Sequence, residues 1–225
     1  MVRCRIALCI MLLLLAPAPA AGAGWKTVAE EDGVKVMLRD VPGRSFPTFR
    51  SVTVVKESIY NVLAVMSDVG RYKTWMARCS ASERLQQRGD FEYVMYARTD
   101  APWPVDDRDA VYHARVTVSP KQRMVLVRFH AVRDHRRPRV DGVVRLTNLR
   151  GYYALKMLGP GMTQMDYQID ADPGGWVPAW VGKITVKHAV IDTARALRKQ
   201  IAKTRGWYRK HIDRWKRMAL IPAVS

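Results

Sequence analysis

Between Phe91 and Ala171 apolar and polar residues alternate with a period of two, and only short turn-forming segments interrupt the pattern. Phe91, Tyr93, Met95 and Ala97 fall on one face of a strand, with Glu92, Val94, Tyr96 and Arg98 on the other. Strand-like runs recur over 110–118, 124–132, 140–149, 152–158 and 163–171. They are separated by Ser119-Pro120-Lys121, the segment 133–139, Arg150-Gly151 and Gly159-Pro160-Gly161. Connections this short predict an antiparallel meander, since parallel neighbours need a crossover of about a dozen residues or more. The chain then changes character. After Asp172-Pro173-Gly174-Gly175, Val177, Val181, Ile184, His188, Ile191, Ala194 and Leu197 recur at helical spacing, and Tyr208, Ile212 and Trp215 continue a stripe beyond Gly206.

The residues ahead of the meander predict an opening hairpin over 25–39 that turns at Asp32-Gly33, and a third strand over 46–55. Ser58 is placed to cap a helix through Tyr60, Leu63, Ala64 and Met66, and a second short helix follows over 72–77. A sheet of about eight or nine strands twists and curls, and its concave face needs an apolar cover. One long C-terminal helix serves. The predicted architecture is α+β: a curled antiparallel sheet wrapped around that helix, with two short helices in the N-terminal third. Periodicity alone leaves open whether the enclosed space is filled or hollow.

The first residues read as an address. Arg3 and Arg5 precede an apolar run from Ile6 to Leu15, and the small residues of 16–24 include two A-x-A sites, at Ala18-Pro19-Ala20 and Ala21-Gly22-Ala23. The run is roughly half of the ~20 residues that cross a bilayer, and prolines follow it at once. A cleaved secretory signal over 1–23 is expected, then one domain over 24–218 and a tail over 219–225. The destination is a bacterial periplasm or the exterior. Cys4 and Cys9 leave with the signal, so Cys79 alone remains and no internal disulfide supports the mature fold.

The formal charge is +18, from 38 Lys and Arg against 20 Asp and Glu. Such a balance favours an anionic partner, nucleic acid or a membrane surface. Export tilts the choice to an anionic membrane. From Lys183 to Arg217 the basic residues outnumber Asp192 and Asp213 heavily, so the terminal helix is basic as well as amphipathic.

The segment Ala101-Pro102-Trp103-Pro104-Val105-Asp106-Asp107-Arg108-Asp109-Ala110-Val111-Tyr112 resembles a stretch characteristic of StAR-related lipid-transfer (START) domains. Residues 25–39, 67–75 and 173–180 resemble the family's opening, its short helices and the approach to its last helix, so the likeness runs in order through nearly all of the mature chain. It implies a helix-grip (START or Bet v 1-like) fold with a lipid-sized tunnel between sheet and C-terminal helix. That helix and the loop 99–107 would open at a membrane. Prolines stiffen the loop, and Trp103 is an amphipathic ring suited to a bilayer interface.

The resemblance also implies the site. The predicted tunnel wall is Tyr93, Met95, Ala97, Ala110, Tyr112, Ala114 and Val116, joined by Tyr167 and by Val177, Trp180, Ile184 and Ile191 toward and along the helix, with Trp103 at the gate. Positions that cage choline in phosphatidylcholine carriers correspond to Ala97, Ala110 and Leu149, which supply no aromatic face. The acidic and arginine pair of steroid carriers corresponds to Met95 and Ala114. The implied ligand is bulky and weakly polar, a phospholipid with its headgroup near the mouth or a sterol or hopanoid, carried by a monomer. Arg108 and Asp109, adjacent in a strand, point to opposite faces and are expected to tie the loop to its neighbours.

Two rival readings come from other classes. A helix-grip enzyme of cyclase or hydrolase type would draw on Tyr112 or Arg145 as acid or base. The five histidines lack metal-ligand spacing, and no nucleophile elbow, P-loop or zinc pattern occurs, so no catalytic residue, metal or cofactor is assigned. A nucleic-acid binder would use Arg136-Arg137-Pro138-Arg139 and the segment 195–217 with Trp207, Tyr208 and Trp215 interleaved. Export argues against that partner.

Overall fold

The computed structural model describes residues 24–218 and 221, with the backbone alone for 179–184. The predicted signal 1–23 lies outside the described residues. Asp32 and Gly33 both adopt positive φ and turn β1 (Lys26–Glu31) into β2 (Val34–Arg39), after which β3 (Thr48–Val55) continues the sheet. Ser58 caps α1 (Ile59–Ser67) by accepting the Asn61 N–H at 3.3 Å. A 3-10 turn at Val69–Arg71 leads into α2 (Tyr72–Trp75).

The other strands are β4 (Cys79–Arg88), β5 (Glu92–Thr99), β6 (Asp107–Ser119), β7 (Met124–Ala131), β8 (Val143–Arg145), β9 (Leu149–Gly159) and β10 (Met162–Ala171). All ten strands join one sheet in the order β1-β2-β3-β10-β9-β7-β6-β5-β4, antiparallel throughout, except that β8 pairs in parallel with the start of β6. The chain ends in α3 (Ala179–Lys203) and α4 (Arg209–Arg217). This is the predicted curled antiparallel sheet with a C-terminal helix and short helices near the N-terminal third.

Four local features depart from the sequence reading, each for a physical reason. β4 was not predicted at all. It is an edge strand with two bulges, only Cys79 and Ser82 are buried, and charged or amide side chains fill its outer positions, which is how edges resist stray pairing. The strand expected over 140–149 shrinks to Val143–Arg145, because β8 has only Asp107, Arg108 and Asp109 of β6 to pair with.

Arg150-Gly151, read as a connection, lies inside β9. A Cβ on Gly151 would stand 2.3 Å from the Gln168 carbonyl oxygen and 2.5 Å from the Phe129 ring. Glycine is there so that an aromatic ring can lie on the strand. The single long helix divides: Gly206 at φ +88° turns the chain, and α4 comes back over α1. Tyr208, Ile212 and Trp215 pack on the main core, and the Tyr208 hydroxyl donates to Asp68 at 2.8 Å.

The main core fills one end of the grip, where Ile59, Val62 and Val65 of α1 meet Leu155 of β9 and Leu197 and Ile201 of α3. Fully burying a leucine or isoleucine contributes about 1.5–3 kcal/mol, so this end is solid. Ile221, in the expected tail, is also buried there and its carbonyl accepts the Tyr60 hydroxyl at 2.9 Å. On the outer face of the sheet Val94, Tyr96 and Val111 make a smaller cluster.

Candidate ligand cavity

Strand alternation sends one set of side chains inward, and the register aligns them in rows across the sheet. Val125, Leu155, Met165, Thr53 and Val34 form the innermost row, all buried. The next row runs Val116, Val127, Tyr153, Tyr167 and Ser51. A third holds Tyr93, Ala114, Phe129, Gly151, Ile169 and Phe49. Between these rows and the first half of α3 lies a cavity of about 380 Å³, within the range of ~300–1,000 Å³ usual for ligand sites. Thr185, Val186, Ala189, Val190, Thr193 and Ala194 of α3 form its roof.

The wall is apolar with a band of phenols. Tyr153 and Tyr167 stack at 4.5 Å between centroids and 23° between planes, and Phe129 lies 5.7 Å from Tyr153 and meets Tyr112 edge-on at 6.0 Å. Burial pushes the phenols of Tyr93, Tyr112, Tyr153 and Tyr167 above their ordinary value, so all four stay neutral at physiological pH. Charged lining residues, Arg78, Asp100 and Arg108, gather at the other end beside Pro102, Pro173 and Val177.

That end is the mouth, where two loops meet. The Arg108 guanidinium donates to the carbonyls of Pro173 at 3.3 Å and Gly174 at 3.1 Å, and also to the Asp106 carbonyl, so one side chain joins the loop before β6 to the loop before α3. Asp107 accepts the Ala101 N–H at 3.0 Å and the Arg98 Nε–H at 3.0 Å. The Ala101 N–H first, then Arg98, holds its carboxyl below the usual range. Trp103 and Trp176, one on each loop, are 92% and 69% exposed.

Asp109 serves the outer face. It takes a two-pronged bond from Arg145 at 2.6 and 2.9 Å and accepts the Tyr96 hydroxyl at 3.0 Å, while Arg145 also reaches the carbonyls of Arg137 and Pro138. Arg108 and Asp109 thus tie the loops down from opposite faces. Tyr112 faces the cavity and Arg145 the outer side, so they do not form an acid–base pair. Arg136 and Arg137 fold back onto Asp134 and Glu83, and Arg137 stacks 4.3 Å over Tyr96.

Of the residues singled out from sequence, Tyr93, Met95, Ala97, Tyr112, Ala114, Val116, Tyr167 and Val177 line the cavity, as does Leu149. Ala110 is inward and fully buried without lining it. Ile191 does not face it: with Ala194 it packs on Val34 and Val36, because it lies where α3 has already reached β2. Trp103 lies outside the wall, at the mouth. Trp180 and Ile184 fall outside the described side chains. Phe129, Tyr153 and the roof residues of α3 were missed, although inward parity on β7 and β9 pointed to the first two.

A family model for the START domain matches residues 5–205. An uncharacterised protein of Pseudomonas aeruginosa is 33% identical over 174 residues, 77% of this chain and 85% of that protein. The crystal structure of a STAR-related lipid transfer protein fragment from Xanthomonas axonopodis superposes with a TM-score of 0.72 at 32% identity, covering 80% of this chain and 99% of that one. The phosphatidylcholine transfer protein of Bos taurus is 24% identical over 173 residues, 75% of this chain and 80% of its own length. The family model spans most of the chain and the sheet with its gripped helix superposes on the Xanthomonas structure, so the chain belongs to the START domain family.

Proposed function

We propose that this protein binds one apolar lipid in the cavity and carries or presents it at membranes, with no bond made or broken. The observation that carries this reading is an apolar cavity of about 380 Å³ whose mouth is flanked by two exposed tryptophans. Its relatives include proteins named for lipid transfer and for phosphatidylcholine transfer. The cargo is a phospholipid or a sterol or hopanoid, and the setting is the periplasm of a bacterium, in keeping with the signal-like N-terminus.

Transfer follows from the geometry of the mouth. Trp103 and Trp176 enter the interfacial layer of a bilayer, where amphipathic rings are favoured, and the excess of basic residues holds the protein to anionic headgroups. The first half of α3 then lifts from the sheet. Each CH2 that leaves the bilayer for the cavity trades one apolar setting for another, forgoing and regaining about 0.8 kcal/mol, so exchange is nearly isoenergetic and opening governs its rate.

Native mass spectrometry with lipid extraction, on protein purified from the compartment it is exported to, tests the reading. A stoichiometric lipid is expected; an empty chain that also refuses offered phospholipids and sterols would sink it. Trp103→Ala is expected to slow lipid exchange with anionic vesicles about tenfold while changing equilibrium affinity less than twofold, the energy of one partly inserted ring. The reverse pattern would remove the gate role.

A further inference from the structure

Five of the nine tyrosines spend their hydroxyls on the protein: Tyr60 on Ile221, Tyr72 on Met66, Tyr96 on Asp109, Tyr152 on Asp166 and Gln168, and Tyr208 on Asp68. The other four, Tyr93, Tyr112, Tyr153 and Tyr167, all line the cavity. Among the described residues none of these four hydroxyls makes a hydrogen bond to the protein, and the rings of Tyr153 and Tyr167 lie stacked with centroids 4.5 Å apart. Ser51 stands next to Tyr167 in register, is buried, lines the same space and makes no side-chain hydrogen bond among the described residues. Three hydroxyl-bearing side chains therefore occupy adjacent register positions on β9, β10 and β3 and line the cavity inside the mouth.

Hydroxyls that face a cavity without a protein partner gain a bond when a ligand or an ordered water supplies one. From this arrangement we infer that Ser51, Tyr153 and Tyr167, with Tyr112 nearby, form a hydrogen-bonding subsite for an uncharged polar group of the ligand, a hydroxyl or a carbonyl, which enters ahead of the apolar body. The inference deepens the carrier reading and rests on it. A charged group does not suit the place. The charged lining residues are at the mouth, and an ion in the inner rows would be desolvated without a counter-charge. An ammonium does not suit it either, because Tyr153 and Tyr167 turn their faces to each other instead of around a void. The phenols remain neutral donors, as burial of all four requires.

The test uses three probes of one chain length, hexadecanol, hexadecane and palmitate, offered at equal concentration to the delipidated full chain at pH 8 and quantified after extraction. Wild type is expected to prefer hexadecanol to hexadecane about tenfold, the effect of one to two neutral hydrogen bonds, and to bind palmitate least. The triple variant Ser51→Ala, Tyr153→Phe, Tyr167→Phe is expected to keep hexadecane and to bring the alcohol within about twofold of it. If the triple variant also loses hexadecane, the single variants Ser51→Ala and Tyr167→Phe decide by the same ratio. An alcohol preference that survives in the variants, or palmitate binding best, overturns the subsite and leaves the carrier reading in place. Wild type that takes up none of the three overturns both.

Discussion

The two halves of α3 are held by opposite means. From Ile191 onward the helix buries Ile191, Ala194, Leu197, Gln200, Ile201 and Thr204, one side chain on almost every turn. Arginines fasten the same half from outside: Arg195 to Glu31 and Asp32, Arg198 to the Asp32 carbonyl and Thr53 at 2.9 and 2.8 Å, and Arg205 to Glu57 at 2.7 Å. Over 185–190 the inward residues are partly buried and face a void, and the helix starts at Pro178 without a side-chain cap. A helix anchored over solid core at one end and laid over a cavity at the other opens at the second end first, since fewer contacts are lost there. The arrangement teaches that the stretch that anchors an element and the stretch that roofs a cavity can be different parts of one helix.

The largest expected effect tests the anchored half. Leu197→Ala deletes a fully buried side chain and is expected to cost about 2–5 kcal/mol in denaturant unfolding, whereas Val186→Ala, beside the cavity, should cost about 1 kcal/mol or less. Equal losses would break the comparison.

A middling effect sits on the cavity floor. Gly151→Ala must push Phe129 or the β10 backbone aside, and about 1–3 kcal/mol of destabilisation is expected, with a fall in probe binding because the ring moves into the space. Unchanged unfolding and binding would mean that the floor yields freely.

The smallest effect concerns pH at the mouth. The Asp107 carboxyl is held below its unfolded-state value, so its contribution is complete above about pH 4 and is lost as pH falls further toward the lower folded value. Acid should therefore loosen the loop 99–107 before it unfolds the anchored end. Lipid exchange measured from pH 6 downward is expected to accelerate below about pH 4 in the wild type, and Asp107→Asn should flatten that rise. An identical acid response in the variant would assign the effect elsewhere.

Residues whose neighbours are near in sequence were legible. The Asp32-Gly33 hairpin, the Ser58 cap and the inward parity of β5 and β6 each depend on a handful of adjacent side chains, and each was read correctly. β4 was not legible, because two bulges shift its register and break the alternation that marks a strand. Gly151 looked like a break because the ring that requires it, Phe129, is more than twenty positions away. Ile191 had the right helical spacing for the cavity, but spacing says which residues share a face and not what that face meets. The second stripe at Tyr208, Ile212 and Trp215 read as a continuation of one helix, and the turn at Gly206 instead brings it onto α1 and the core.

By itself the sequence determined the alternation that makes a curled sheet and the helix that must cover it, because those follow from local periodicity and turn chemistry, while the place of the Arg108-Asp109 segment at a mouth was implied by its resemblance to a family motif. Only the tertiary structure decided that the cover is solid at one end and hollow at the other, and that four phenols and a serine converge in the hollow. That outcome depends on strand register and on where α3 meets β2, and register is set by the sum of many distant contacts that no short stretch of sequence contains.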